Sequence, residues 1–199
     1  MLFNSIEFLI FFPVVTLLFY LLPHKPRWIL LLAASCFFYM WFIPKYILIL
    51  LITIAIDYSA GIFIEKWKDQ ITRKKTCLVV SIVSTCLVLF IFKYLNFCSA
   101  NLVALAHHFG WSHPNTVLNI ALPIGLSFHT FQSLSYVIEV YRGNQKAERH
   151  FGYYSLYVMF YPQLVTGPIE RPQNLLRQLH EKKELQYDNV SNGLRLILF

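Results

Sequence analysis

The stretch Phe151-Gly152-Tyr153-Tyr154-Ser155-Leu156-Tyr157-Val158-Met159-Phe160-Tyr161-Pro162-Gln163-Leu164-Val165-Thr166-Gly167-Pro168-Ile169-Glu170-Arg171 decides how this chain is built. It opens on an apolar run from Phe151 to Val165, about 15 residues where a bilayer span takes about 20. Pro162, Gly167 and Pro168 then interrupt helical hydrogen bonding and free backbone groups. A polar stretch follows with Arg171, Arg177, Lys182 and Lys183. A complete crossing would put those four cations on the side opposite the other basic loops. The run therefore reads as a re-entrant or half-membrane helix that returns to the side it left. Irregular backbone at membrane depth is tolerated only inside protein or beside a watery cavity, so this segment is expected to wall a cavity.

The rest of the chain has the composition that such a segment needs around it. Of the 199 residues 57% are hydrophobic and only 14% are charged, against about 25% charged in soluble domains. The net charge of +7 would suggest nucleic acid in a soluble protein. Here the cations sit between apolar runs, where the positive-inside rule and anionic lipid place them, so no nucleic-acid partner is expected. Cys36, Cys77, Cys86 and Cys98 form no CxxC pair and no zinc spacing with histidine, which predicts small buried residues and no metal site.

Apolar runs predict spans over Ile6–Leu22, Trp28–Ile43, Tyr46–Ile64, Thr76–Phe92 and Val117–Tyr141, with Trp28, Trp41 and Phe42 as interfacial anchors. The pattern breaks from Lys93 to Asn115, which reads as an interfacial helix and loop carrying His107, His108 and His113. A last run begins near Val190 and is still apolar at Phe199, which predicts a chain cut in mid-helix. The expectation is an all-α, polytopic bundle: about five full spans, one re-entrant segment and the start of a further helix. Residues 1–199 form part of one membrane domain without a separate soluble domain. With the N-terminus outside, Lys25, Arg27, the cluster Lys66–Lys75, Arg142, Lys146 and Arg149 all fall in the cytoplasm, and only Lys45 and Lys93 lie opposite.

Chemistry concentrates in two places. In the fifth span His129, Gln132, Ser133, Tyr136 and Glu139 share one helical face, which is costly in lipid and so points inward. It reads as the polar wall of a substrate path, with interhelical hydrogen bonding as the competing account. Histidine titrates near neutrality, which would suit His129 as a general base, yet no nucleophile or acid is visible beside it, and a structural hydrogen bond is the preferred role. Glu139 is expected at the interface near Arg142. In the opening stretch Gln163, Glu170 and Arg171 add polar groups around Gly167 and Pro168, and Arg171 suits a coenzyme A phosphate. Asp57, inside the third span, reads as structural, because Lys66 and Lys68 lie too far along the helix to pair with it.

Three stretches together resemble a known family: Met1-Leu2-Phe3-Asn4-Ser5-Ile6-Glu7-Phe8-Leu9-Ile10-Phe11-Phe12-Pro13, then Leu122–Tyr136 continuing to Val140-Tyr141-Arg142-Gly143, then Phe160–Arg171. In this order and spacing they are similar to the membrane-bound O-acyltransferases of the alginate O-acetyltransferase kind. The resemblance implies a multi-helix fold thinned at its centre, in a bacterial inner membrane. It implies an acyl thioester donor on the cytoplasmic side, acetyl-CoA or an acyl carrier, used as substrate and not as a resident cofactor. It implies delivery to an outer-side acceptor for exopolysaccharide O-acetylation, with a periplasmic or extracellular acetyltransferase partner. The family pattern has Tyr at the position of His129, and its essential histidine is expected beyond Phe199, so no catalytic residue is assigned here and the fragment alone is expected to be inactive. The donor-path candidates are Gln163, Gly167, Pro168, Glu170, Arg171, His129, Gln132 and Ser133. The competing readings are a transporter or channel subunit, the same family with another cargo (D-alanyl to teichoic acid, or a lipid or other glycan), and a natural inactive fragment.

Overall fold

The computed structural model describes residues 3–41, 44–108, 125–164 and 170–198, and within these it is helical, with no strand. The helices are α1 (Ile6–Leu21), α2 (Arg27–Met40), α3 (Ile47–Lys66), α4 (Ile71–His108), α5 (Leu126–Arg142), α6 (Phe151–Met159), α7 (Pro172–His180) and α8 (Tyr187–Leu198), with a single 3-10 turn Pro44–Tyr46 before α3. His113 and the start of the fifth run, with Gly167 and Pro168, lie outside the described residues.

Local chemistry sets the ends. Ser5 Oγ accepts the Phe8 amide at 3.3 Å and caps α1. Gly143, at φ +83°, ends α5 in the left-handed conformation, and the Asn144 amide reaches back to the Glu139 carbonyl at 3.1 Å. His150 caps α6, its Nδ1 accepting the Gly152 and Tyr153 amides at 3.1 and 3.4 Å. Pro172 opens α7, where its missing N–H costs nothing.

Two elements differ from the sequence reading. The break expected at Lys93 is absent: α4 continues unbroken for 38 residues to His108. No glycine or proline occurs between Ile71 and His108, and exposed Lys93 lies over the Tyr94 ring while Asn101 bonds back to the Phe97 carbonyl at 2.7 Å. Polar residues on an exposed helix face do not stop a helix. Cys86 and Cys98, expected to be buried, are exposed on α4. Trp28 also does more than anchor an interface: its ring packs on His150 (4.8 Å between centroids) and against Gly152.

This is a membrane protein by the distribution of its polarity. Among the described residues two helical stretches, Pro44–Lys66 and Ile71–Val103, are long and apolar enough to cross a bilayer, and α1 and α2 are shorter apolar helices of 16 and 14 residues. Leu9, Ile10 and Leu17 of α1 and Val79, Val80, Val83 and Leu87 of α4 face outward. Ser35, Asp57, Ser81, Thr85, His129, Gln132 and Ser133 are buried inside. Apolar outside and polar inside is the arrangement a hydrocarbon solvent selects.

The stretch that opened the sequence analysis is a hairpin. From His150, α6 runs antiparallel to α5: Tyr154 packs on Tyr136 (4.6 Å between centroids), and Val158 reaches His129. The tip meets α2, where the Tyr161 amide donates to Ser35 Oγ at 3.1 Å. Ser35 lies about 12 Å of helix from Arg27, or somewhat less than half of a roughly 30 Å hydrocarbon core. The chain then comes back. Gln173 Nε2 donates to Glu139 Oε2 at 2.6 Å, His180 Nε2 sits 2.8 Å from Glu148 Oε2, and Arg27 Nη1 donates to the Lys183 carbonyl at 2.5 Å. The α1–α2, α3–α4, α5–α6 and α7–α8 connections therefore gather at one end, which Arg149 and Glu65 also tie together as an ion pair.

Candidate functional site

The interior between α3, α4, α5 and α6 holds a carboxylate with its own solvation shell. Asp57 is fully buried. Ser81 Oγ donates to its Oδ1 at 2.6 Å, Thr85 Oγ1 donates to Oδ1 at 3.0 Å, and Ser133 Oγ donates to Oδ2 at 2.5 Å. Since Ser133 spends its hydrogen on Asp57, the Tyr154 hydroxyl, 2.7 Å away, donates to Ser133 Oγ. Four helices thus meet at one side chain, and a group that is expensive in hydrocarbon is hydrogen-bonded at both oxygens. Lys66 and Lys68 take no part, as the sequence implied. Asp57 is buried and hydrogen-bonded at both oxygens, so the arrangement suits a structural joint and not a base.

Above this joint the polar face of α5 carries the predicted candidates. His129, Gln132 and Ser133 are buried together under the hairpin, with Tyr136. The Val158 carbonyl accepts from His129 Nδ1 at 2.9 Å, and because a carbonyl only accepts, Nδ1 carries the hydrogen. Nε2 has no partner. Among the described residues, Gln132 has neither its Oε1 nor its Nε2 engaged, and Tyr39 of α2, whose ring lies 6.0 Å from His129, has an unpartnered hydroxyl. The Gln132 backbone is held: its carbonyl shares the Tyr157 hydroxyl with the Glu170 carbonyl, both at 3.2 Å. Gly125, at φ +78°, starts α5 so close to the hairpin that a Cβ there would meet the Leu164 carbonyl at 2.5 Å.

The other candidates sit on the hairpin. Gln163 is half-buried at the tip with its Oε1 unpartnered. Glu170 is half-buried on the returning limb, and Arg171 is exposed at the start of α7. Glu139 lies 3.6 Å from Arg142, at the end where the loops gather. In the exposed linker after α7, Lys183 hydrogen-bonds Glu181 at 2.6 Å and holds its carboxyl below the usual carboxylate range. Sequence reading missed Ser81, Thr85 and Tyr39. The i, i+4 pair of hydroxyls on an otherwise apolar face of α4 was the available signal.

No family model matches the chain, and no solved structure does. Relatives with assigned names do. The chain is 35% identical to a probable alginate O-acetylase AlgI of Azotobacter vinelandii and 34% identical to that of Pseudomonas aeruginosa, in both cases over 92% of its length. It is 28% identical, over 98% of its length, to a peptidoglycan O-acetyltransferase of Helicobacter pylori. It covers 36%, 35% and 42% of those proteins, so the chain spans little more than a third of the length of the curated relatives it matches. Similarity over nearly the whole chain, joined to an all-helical fold with apolar outer faces, means that the chain belongs to the membrane-bound O-acyltransferase family.

Proposed function

We propose that the full-length protein is an O-acetyltransferase of an inner membrane, taking acetyl from a cytoplasmic thioester and delivering it to an outer-side acceptor of an exopolysaccharide. In the net reaction the thioester C–S bond breaks, an ester C–O bond forms, and the acceptor hydroxyl's proton ends on the departing thiol. The observation that carries this reading is the hairpin. Its tip stops near mid-depth against Ser35, while both of its limbs begin and end beside Arg27, Glu65 and Glu148. The positive-inside rule makes that basic end cytoplasmic, with the N-terminus outside and Arg171, Arg177, Lys182 and Lys183 on the donor's side. A segment that enters halfway and returns thins the barrier between the two faces, which a transfer across the membrane requires. About five spans, the hairpin and the beginning of another helix are the topology that goes with it.

The names of the relatives favour an alginate-like polymer as acceptor. A partner on the outer side that completes the transfer belongs to the same reading. The test is deletion of the gene followed by complementation with the full-length protein. Ester-linked acetate on the polysaccharide is expected to disappear and return. Unchanged polymer acetylation in the deletion strain contradicts the reading. Loss of acetate from peptidoglycan alone would move the acceptor to the class named for the Helicobacter relative.

A further inference from the structure

Two groups of buried polar atoms lie close together and are treated in opposite ways by the fold. Asp57 is supplied with three hydroxyl donors, whereas Gln132, one residue from Ser133 and only 3% exposed, has neither end of its carboxamide engaged. His129 and Tyr39, 2% and 4% exposed, add an unpartnered ring nitrogen and an unpartnered hydroxyl. Each such atom is destabilising when nothing satisfies it, and lipid offers no water to do so.

What would satisfy them can be read from their chemistry. In the neutral ring, with the hydrogen on Nδ1, His129 Nε2 is an acceptor. Gln132 contributes one acceptor and a donor group, and Tyr39 a second donor. The set is two donors and two acceptors. A carrier arm of the phosphopantetheine type, common to coenzyme A and acyl carrier proteins, contains two secondary amides, hence two carbonyls and two N–H groups. We propose that Gln132, His129 and Tyr39 form the subsite that reads the amides of the donor's carrier arm. This rests on the acyltransferase reading above. The Val158 carbonyl fixes the ring of His129, and Gln132 lies about 15 Å of helix from Arg142 at the basic end.

Gln132→Met keeps the length of the side chain and removes its polar atoms. The full-length protein, in membrane vesicles supplied with the acceptor polysaccharide, is assayed for thiol release with acetyl-CoA, with an acetylated carrier protein, and with S-ethyl thioacetate, which has no amide. Gln132→Met is expected to raise KM about tenfold for whichever amide-bearing donor the wild type uses, to leave S-ethyl thioacetate turnover unchanged, and to leave donor-free thermal stability unchanged or higher. The preferred amide-bearing donor identifies which carrier brings the arm. An equal effect on all donors, no effect on any, or a lower donor-free melting temperature overturns the subsite while the acyltransferase reading stands. A wild type that releases thiol from none of the three overturns both.

Discussion

His180 and Glu148 lie 2.8 Å apart, across a segment that has gone into the protein and come back. The pair itself is of little energetic weight: the imidazole is nearly half exposed, and such contacts contribute about 0–1 kcal/mol. Its importance is topological, because it joins the start of the hairpin to its end. Removing it with Glu148→Gln is expected to shift stability by less than about 1 kcal/mol in a detergent thermal melt. A loss of several kcal/mol would mean that the returning limb is held by this pair and not by Leu175 and Leu176, which are buried in the core.

Asp57 is expected to be the most sensitive polar position. Asp57→Ala strands the hydroxyls of Ser81, Thr85 and Ser133 and should cost about 3 kcal/mol or more. Asp57→Asn retains an acceptor and most of the shape, and should cost roughly half as much. Thermal melts of the purified variants measure both. Equal stability of wild type and Asp57→Ala would show that the hydroxyl shell is not a joint between the helices.

Gly152→Ala tests the docking of the hairpin on α2. A Cβ there would run into the Trp28 ring, within a packed contact, so the substitution should destabilise by about 1–3 kcal/mol. Trp28→Leu in the same chain makes room and should recover part of the loss. If the double variant is no better than the single one, the strain lies elsewhere.

Arg171 stands exposed at the start of α7, and under the proposed function it would meet a donor phosphate. Arg171→Ala is expected to raise the donor KM several-fold and leave the stability within about 0.5 kcal/mol of wild type. An unchanged KM for acetyl-CoA removes Arg171 from the donor's approach.

Lipid demands long apolar runs, which made an all-helical, apolar chain legible, and Pro162 with the cations after it made a break and return of the chain beyond α6 legible. The shared face of His129, Gln132 and Ser133 followed from helical periodicity alone. The partners of those residues did not. Asp57, Ser81, Thr85 and Ser133 come from three helices, and nothing local says that they converge. Nor could the end of α4 be read, since Lys93 resembles a span boundary whether or not the helix stops. His129 was singled out as a titratable group; Tyr39, an ordinary aromatic in an apolar run, gave no signal until its hydroxyl was found buried without a partner.

The decisive measurement is the sidedness of the returning limb. Arg177→Cys and Lys182→Cys, in a full-length protein whose native cysteines are replaced, are treated with a membrane-impermeant maleimide in intact cells and in inverted vesicles. Labelling in inverted vesicles alone, together with a control cysteine at Lys25, is the result expected of a hairpin that returns to the cytoplasm. Labelling of Arg177→Cys or Lys182→Cys from outside intact cells would contradict it, and the donor path built on that hairpin would fall with it.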